Sequence, residues 1–220
     1  AQGHHMWTRF VLFLIRVLGY LPLSWVRALG WLLGVVLYLV VGSRRHVVLT
    51  NLGLCFPQLG PKQVRTLAGR VFVRFAQAWL DRGWLWHGSP DQIRARLVVK
   101  GAIDEFNGAD PVVVFAPHFV GLDAGWTALT QQFPRHFTSI YTNQTNKTAD
   151  AWILQGRQRF GACQLFGRVD GVKAIVATLR QGDPLYLLPD MNFGPQESLF
   201  VPFYGVLAAT VPSLSRFARL

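Results

Sequence analysis

From Trp7 to Gly42 the chain is almost wholly apolar, interrupted only by Arg9, Arg16, Pro22 and Arg27, and no later segment constrains the fold as strongly. The longest uncharged run, Ala28 to Ser43, ends at Arg44 and Arg45. As a helix it covers roughly 24 Å, short of the ~30 Å hydrocarbon core unless Arg27 snorkels and Leu23 to Val26 join it. Pro22 divides the stretch into an Arg-bearing first helix and a more apolar second one. Residues 7–43 are therefore expected to form a membrane anchor, as a single span or a broken hairpin. Its rival is a buried helical hairpin in a soluble fold. No small-residue cleavage site follows, and Leu54 before Cys55 does not fit lipoprotein processing, so the stretch does not read as an export signal. Ala1 to Met6 read as a tag remnant, which sets His4 and His5 aside.

With 51% hydrophobic and 15% charged residues in 220, the chain carries more apolar surface than a soluble domain of this size needs. Its 22 Lys and Arg against 11 Asp and Glu give +11, which calls for an anionic partner: phosphate, a membrane surface, an acidic protein or nucleic acid. Arg44, Arg45, Lys62, Arg65, Arg70 and Arg74 crowd the region after the anchor, and the positive-inside tendency puts residues 44–220 in the cytoplasm. Cys55 and Cys163 have neither disulfide nor zinc-ligand spacing and are expected to be reduced packing residues, with no metal site.

Pro61 opens a basic amphipathic helix whose apolar stripe is Val64, Leu67, Val71, Phe75 and Ala78. Beyond a polar stretch, Pro111 to Pro117 is β-branched and reads as a buried strand, with a helix over Val120 to Phe133. A polar loop at Asn143 to Lys147 precedes a helix over Thr148 to Phe160. A strand at Ala162 to Phe166, a helix at Val172 to Arg180 and a strand at Pro184 to Leu188 follow. Strands alternating with helices imply an α/β fold: a mostly parallel central sheet flanked by helices, behind the anchor.

His118 stands directly after the Val112 to Ala116 strand, with Asp123 five residues on. In open α/β sheets reactive groups collect at the carboxyl ends of strands, and a turn at Gly121 could bring Asp123 back to the ring. That bond would fix the tautomer and free the other nitrogen to act as a general base. No Gly-x-Ser-x-Gly elbow and no phosphate-binding glycine loop is present, which leaves direct proton abstraction from a hydroxyl, with no cofactor, as the simplest chemistry.

Several separated motifs then resemble one family. They are Arg44-Arg45 with Asn51 to Pro57, His118 to Asp123, Gly156 to Gly161, and Leu188 to Gly205 with Ala209-Thr210. In order and spacing they are similar to the bacterial lipid A biosynthesis acyltransferases of the lauroyl and myristoyl type, within the glycerolipid acyltransferase superfamily marked by His-x4-Asp. The resemblance implies an acyl thioester on acyl carrier protein as donor and a phosphorylated lipid A precursor as acceptor, at the cytoplasmic face of a bacterial inner membrane. His118 is then the general base and Asp123 its orienting partner. Arg157 and Arg159 match the family's basic motif and are candidates to grip acceptor phosphate. Asp190 is expected to hold Arg157 or shape the acceptor pocket, and Thr210 to lie near the acceptor or cap a turn. Phe193, Phe200, Phe203 and Tyr204 are expected to pack in the core rather than to line an acyl groove. Members of the family continue with further strands where this sequence stops at Leu220, so a carboxy-terminal truncation is expected. The residues leave open another membrane-lipid acceptor, a glycerophospholipid or a phosphatidylinositol mannoside. A non-enzymatic basic module for membranes or nucleic acid also stands; the tryptophans at 7, 25 and 31 belong to the anchor, which speaks against a nucleic-acid partner.

Overall fold

The computed structural model of the chain describes residues 2–167 and 170–220, with side chains described from Met6 onward. Ala1 and the side chains of His4 and His5, part of the expected tag remnant, lie outside these residues. Helix α1 (Gln2–Leu18) ends before Pro22, the N-cap of α2 (Leu23–Val40), so the proline breaks the apolar stretch as its fixed φ requires. α2 is the one described helix long and apolar enough to cross a membrane, and only 17% of it is buried.

α3 (Gly42–Cys55) leads to α4 (Pro61–His87), which opens with Pro61 in its first turn and Gln63 accepting a bond from the Gly60 N–H. α2 packs against α4 through small residues: a Cβ at Gly30 would meet Gln77, and one at Gly34 would stand 2.4 Å from the Val73 Cα. This close approach sets which face of α4 is buried. It is Ala68, Phe72, Ala76 and Leu80, whereas the expected stripe is rotated outward, with Val71 and Phe75 exposed. Arg27 is paired with Asp81 of α4 at 2.7 Å, and Asp81 also accepts from the Trp84 indole. α2 is thus tied to α4 by an ion pair as well as by packing.

After α5 (Pro90–Arg96) and a 3-10 turn (Ile103–Phe106), the chain alternates β1 (Val113–Phe115), α6 (Leu122–Gln132), β2 (Thr138–Tyr141), α7 (Lys147–Arg157), β3 (Gln164–Gly167), α8 (Gly171–Arg180) and β4 (Leu185–Leu187). The four strands form one parallel sheet in the order β1-β4-β2-β3. Along β4 the side chains alternate: Leu185 and Leu187 pack with Ile175 and Leu179 of α8, and Tyr186 packs with Trp126 and Leu129 of α6. β5 (Leu199–Phe203) and β6 (Val206–Thr210) form a separate antiparallel hairpin whose turn residues Tyr204 and Gly205 both have positive φ. Every residue of β5 is exposed. Phe200, Phe203 and Tyr204 are therefore not core residues, and Tyr204 meets Phe56 with ring centroids 5.0 Å apart. A short α9 (Ser213–Phe217) covers the α8 face through Phe217.

One titratable contact supports the packing of α1, α4 and α7. The Trp152 indole donates to His87 Nε2 at 3.1 Å, so that nitrogen is unprotonated. Burial first, then Arg16 and Arg159, hold the His87 pKa below its usual 6.5. Below about pH 6.5 the unfolded chain binds this proton and the folded one does not. Stability from this contact is full above that pH and falls as pH drops through the depressed folded value. Melting temperature is accordingly expected to decline less between pH 7 and 5 in His87→Gln than in the unmodified protein; identical declines would contradict this assignment.

Candidate active site

Because β1 and β4 are parallel neighbours, the loops leaving their carboxyl ends run side by side. Ala116 N–H donates to the Leu187 carbonyl, extending the pairing past β1, and two residues later the chain reaches His118. The β4 loop reaches Asp190 in register with it. The His118 backbone N–H donates to Asp190 Oδ2 at 2.7 Å, and His118 Nδ1 lies 2.8 Å from Asp190 Oδ1. An ionised carboxylate only accepts, so Nδ1 carries the proton and Nε2 is left to take another. The ring and the carboxylate are both partly exposed, at 46% and 37% of their side chains.

Asp123, expected as the partner of that ring, is engaged elsewhere. Gly121, with φ of +94°, turns the chain into α6 and places Asp123 in its buried first turn. Its Oδ1 accepts from Arg157 Nε and its Oδ2 from Arg82 Nε, both at 2.8 Å. Among the described residues no hydrogen bond joins His118 to Asp123. The two carboxylates have exchanged the roles expected of them: Asp190 holds the histidine and Asp123 holds Arg157.

Arg82, on the buried side of α4, was not singled out by the sequence beyond its place among the polar positions of that helix. Its guanidinium stacks over Trp79 at 3.8 Å, and Nη1 is buried without a partner. Burial pulls its pKa below the usual arginine value, with Asp123 opposing. A charge inside an aromatic run, Trp79 to Trp86, is the signal that could have found it. Arg157 is positioned by its neighbour Gly156, where a Cβ would stand 2.2 Å from the Trp86 ring; the glycine lets the end of α7 lie on α4. Arg157 also stacks at 5.4 Å over Tyr141, whose phenol is pushed up to about 12 by burial and by its bond to Asp150.

His118, Asp123, Arg82 and Arg157 line one cavity of about 620 Å³, within the range that takes a small molecule or an acyl chain with its head. Phe193 and Met191 form part of its wall, so Phe193 sits at the site and not in the core. Other predicted site residues lie outside it. Arg159 donates to the Leu85 and Gly88 carbonyls and stacks over Phe160, closing the end of α4 instead of reaching an acceptor beside Arg157. Thr210 ends β6 opposite Leu199, while Val211 and Ser213, just beyond it, do line the cavity. Cys55 and Cys163 are free thiols; burial raises the Cys163 pKa, as expected of a packing residue. Among the described residues no cluster of ligands could hold a metal.

Comparison with known proteins places the chain in a family. Residues 4–220 match the model of the bacterial lipid A biosynthesis acyltransferase family. The chain is 29% identical over 214 residues to a lipid A biosynthesis acyltransferase of Haemophilus influenzae, covering 95% of this chain and 66% of that one. It is 30% identical over 181 residues to the lipid A biosynthesis myristoyltransferase of Escherichia coli, covering 81% and 55%. With the lauroyltransferase of the same organism the identity is 27% over 207 residues, covering 91% and 65%. The chain thus spans between 55% and 66% of the length of these curated relatives.

Proposed function

Since the chain belongs to the bacterial lipid A biosynthesis acyltransferase family, we propose that it transfers a fatty acyl group from acyl carrier protein to a hydroxyl of a lipid A precursor, at the cytoplasmic face of the inner membrane. His118 is the general base. The acceptor hydroxyl gives its proton to Nε2 as its oxygen attacks the thioester carbonyl. The tetrahedral intermediate then collapses to the new ester and the carrier thiolate, which recovers the proton from the imidazolium. No acyl-enzyme forms.

The observation that carries this reading is the His118–Asp190 contact opening onto a cavity whose inner wall is Arg82–Asp123–Arg157. Asp190 orients the ring, so the base is the nitrogen that faces away from it. Asp123 acts at one remove: two guanidiniums on one carboxylate leave a net positive wall, suited to an acceptor that bears phosphate. Arg157 spends only Nε on Asp123, and its amino nitrogens bond no other described residue, so they are free to meet that phosphate. Arg44, Lys62, Arg65, Arg70 and Arg74 are exposed beside the anchor, a surface complementary to an acidic carrier protein and to anionic lipid alike.

The test is acyl transfer from radiolabelled acyl carrier protein to competing acceptors: a lipid A precursor, lysophosphatidic acid and a phosphatidylinositol mannoside. Label entering the lipid A precursor is the expected result. Label entering only one of the others would replace the acceptor and keep the chemistry. Retention of label on the carrier with all three would overturn the proposal.

A further inference from the structure

Tyr186 holds a polar group that neither the fold nor the mechanism above uses. It stands on β4, the strand whose loop carries Asp190, beside the strand β1 that leads to His118, and its ring turns to the α6 face. The residue is 7% exposed, and Trp126 meets its ring edge-on with centroids 5.4 Å apart, so the phenol cannot swing freely. Tyr186 lines the same cavity as His118, Asp123 and Arg157. Among the described residues its backbone carbonyl takes a bond from Ser139, but nothing bonds its hydroxyl. The hydroxyl is not among the buried unpartnered atoms of the described residues, so it reaches the cavity that Tyr186 lines, where a ligand can accept its hydrogen bond.

The room for that hydroxyl is provided by α6. A Cβ at Gly125 would stand 3.2 Å from the oxygen, tighter than ordinary contact. The glycine costs helix propensity in the middle of α6, and the hydroxyl it accommodates is the nearest atom it spares. Burial, with Asp123 adding to it and Arg157 opposing, pushes the phenol up to about 12. The group is neutral across the working range of an enzyme and keeps its proton to donate.

We propose that Tyr186 is a catalytic residue whose hydroxyl donates a hydrogen bond to the carbonyl oxygen of the donor thioester and holds that oxygen as it becomes an oxyanion. This rests on the acyl-transfer reading above. The proton stays on tyrosine throughout; His118 alone moves one. A fixed neutral donor of this kind does most for an oxygen whose charge appears only during the reaction.

The experiment compares Tyr186→Phe, Gly125→Ala, the double variant and His118→Ala in transfer from acyl carrier protein to the lipid A precursor. Tyr186→Phe is expected to lower kcat by roughly 10- to 10³-fold with KM and melting temperature close to those of the unmodified protein. Gly125→Ala, whose methyl presses on the hydroxyl and shifts it by a few tenths of an ångström, is expected to lower kcat. Added to Tyr186→Phe it is expected to change nothing further, the clash having gone with the oxygen. A kcat unchanged in Tyr186→Phe, or a raised KM at unchanged kcat, overturns the assignment while an inactive His118→Ala leaves the base in place. Should Tyr186→Phe fail to fold, an unchanged kcat in Gly125→Ala overturns it equally. Full activity in His118→Ala overturns the reading beneath both.

Discussion

His118→Ala is expected to lower the rate of acyl transfer by roughly 10²- to 10⁴-fold, the loss that follows removal of a general base. The fold should hardly notice. The ring is partly exposed, its one described side-chain partner is Asp190, and it belongs to none of the buried clusters. Melting temperature and binding of acyl carrier protein are therefore expected to stay near those of the unmodified protein while kcat falls. A variant that lost activity only in step with its stability would mark His118 as a structural residue.

Asp123→Ala is expected to do the opposite, failing first as a fold. The carboxylate is 9% exposed and both its oxygens are committed, so its removal leaves two largely buried guanidiniums facing each other. Breaking a buried ion pair from one side costs about 3–5 kcal/mol, which for a chain of this size lowers the melting temperature by roughly 6–20 °C. The cost comes from uncompensated charge and not from lost volume, so removing one cation should repay part of it. Asp123→Ala with Arg82→Met is expected to melt above Asp123→Ala alone, as replacement of buried ion triads by apolar side chains often restores stability. If the double variant melts lower, the triad stabilises by packing instead. Thermal melts of the three proteins in one detergent decide it.

Much of the architecture was legible in the chain because local pattern and final environment agree. The β-branched run before His118 is a strand, Pro22 breaks the apolar stretch, and helices form at 122–132, 147–157 and 171–180; the run was expected to be buried, but it lies at the edge of the described sheet, with Val113 and Val114 half-buried and Phe115 exposed. β2 was invisible for a physical reason: Thr138 and Ser139 are polar, yet they are buried because their hydroxyls bond the carbonyls of Pro184, just before β4, and of Tyr186 within it. The face of α4 was misjudged because size decided it. Periodicity weighs Val71 and Phe75 above Ala68 and Ala76, while close contact with Gly30 and Gly34 selects the small residues.

At the site, position was readable and partnership was not. That His118 follows a strand can be seen locally; that its partner lies 72 residues away depends on β4 inserting beside β1, a matter of sheet order. Spacing within one motif favoured Asp123, five residues on, but α6 carries that side chain inward to Arg82 and Arg157. Arg159 shows the same lesson: two residues from Arg157, it turns to the end of α4.

His118 is proposed as the base, with Asp190 acting through it. Transfer from acyl carrier protein to the lipid A precursor, measured at one pH for Asp190→Asn, His118→Ala and the double variant, tests this most directly. If the two residues act as a unit, Asp190→Asn loses activity and the double variant is no slower than His118→Ala. Losses that multiply in the double variant, or a His118→Ala protein that transfers at the unmodified rate, would contradict it.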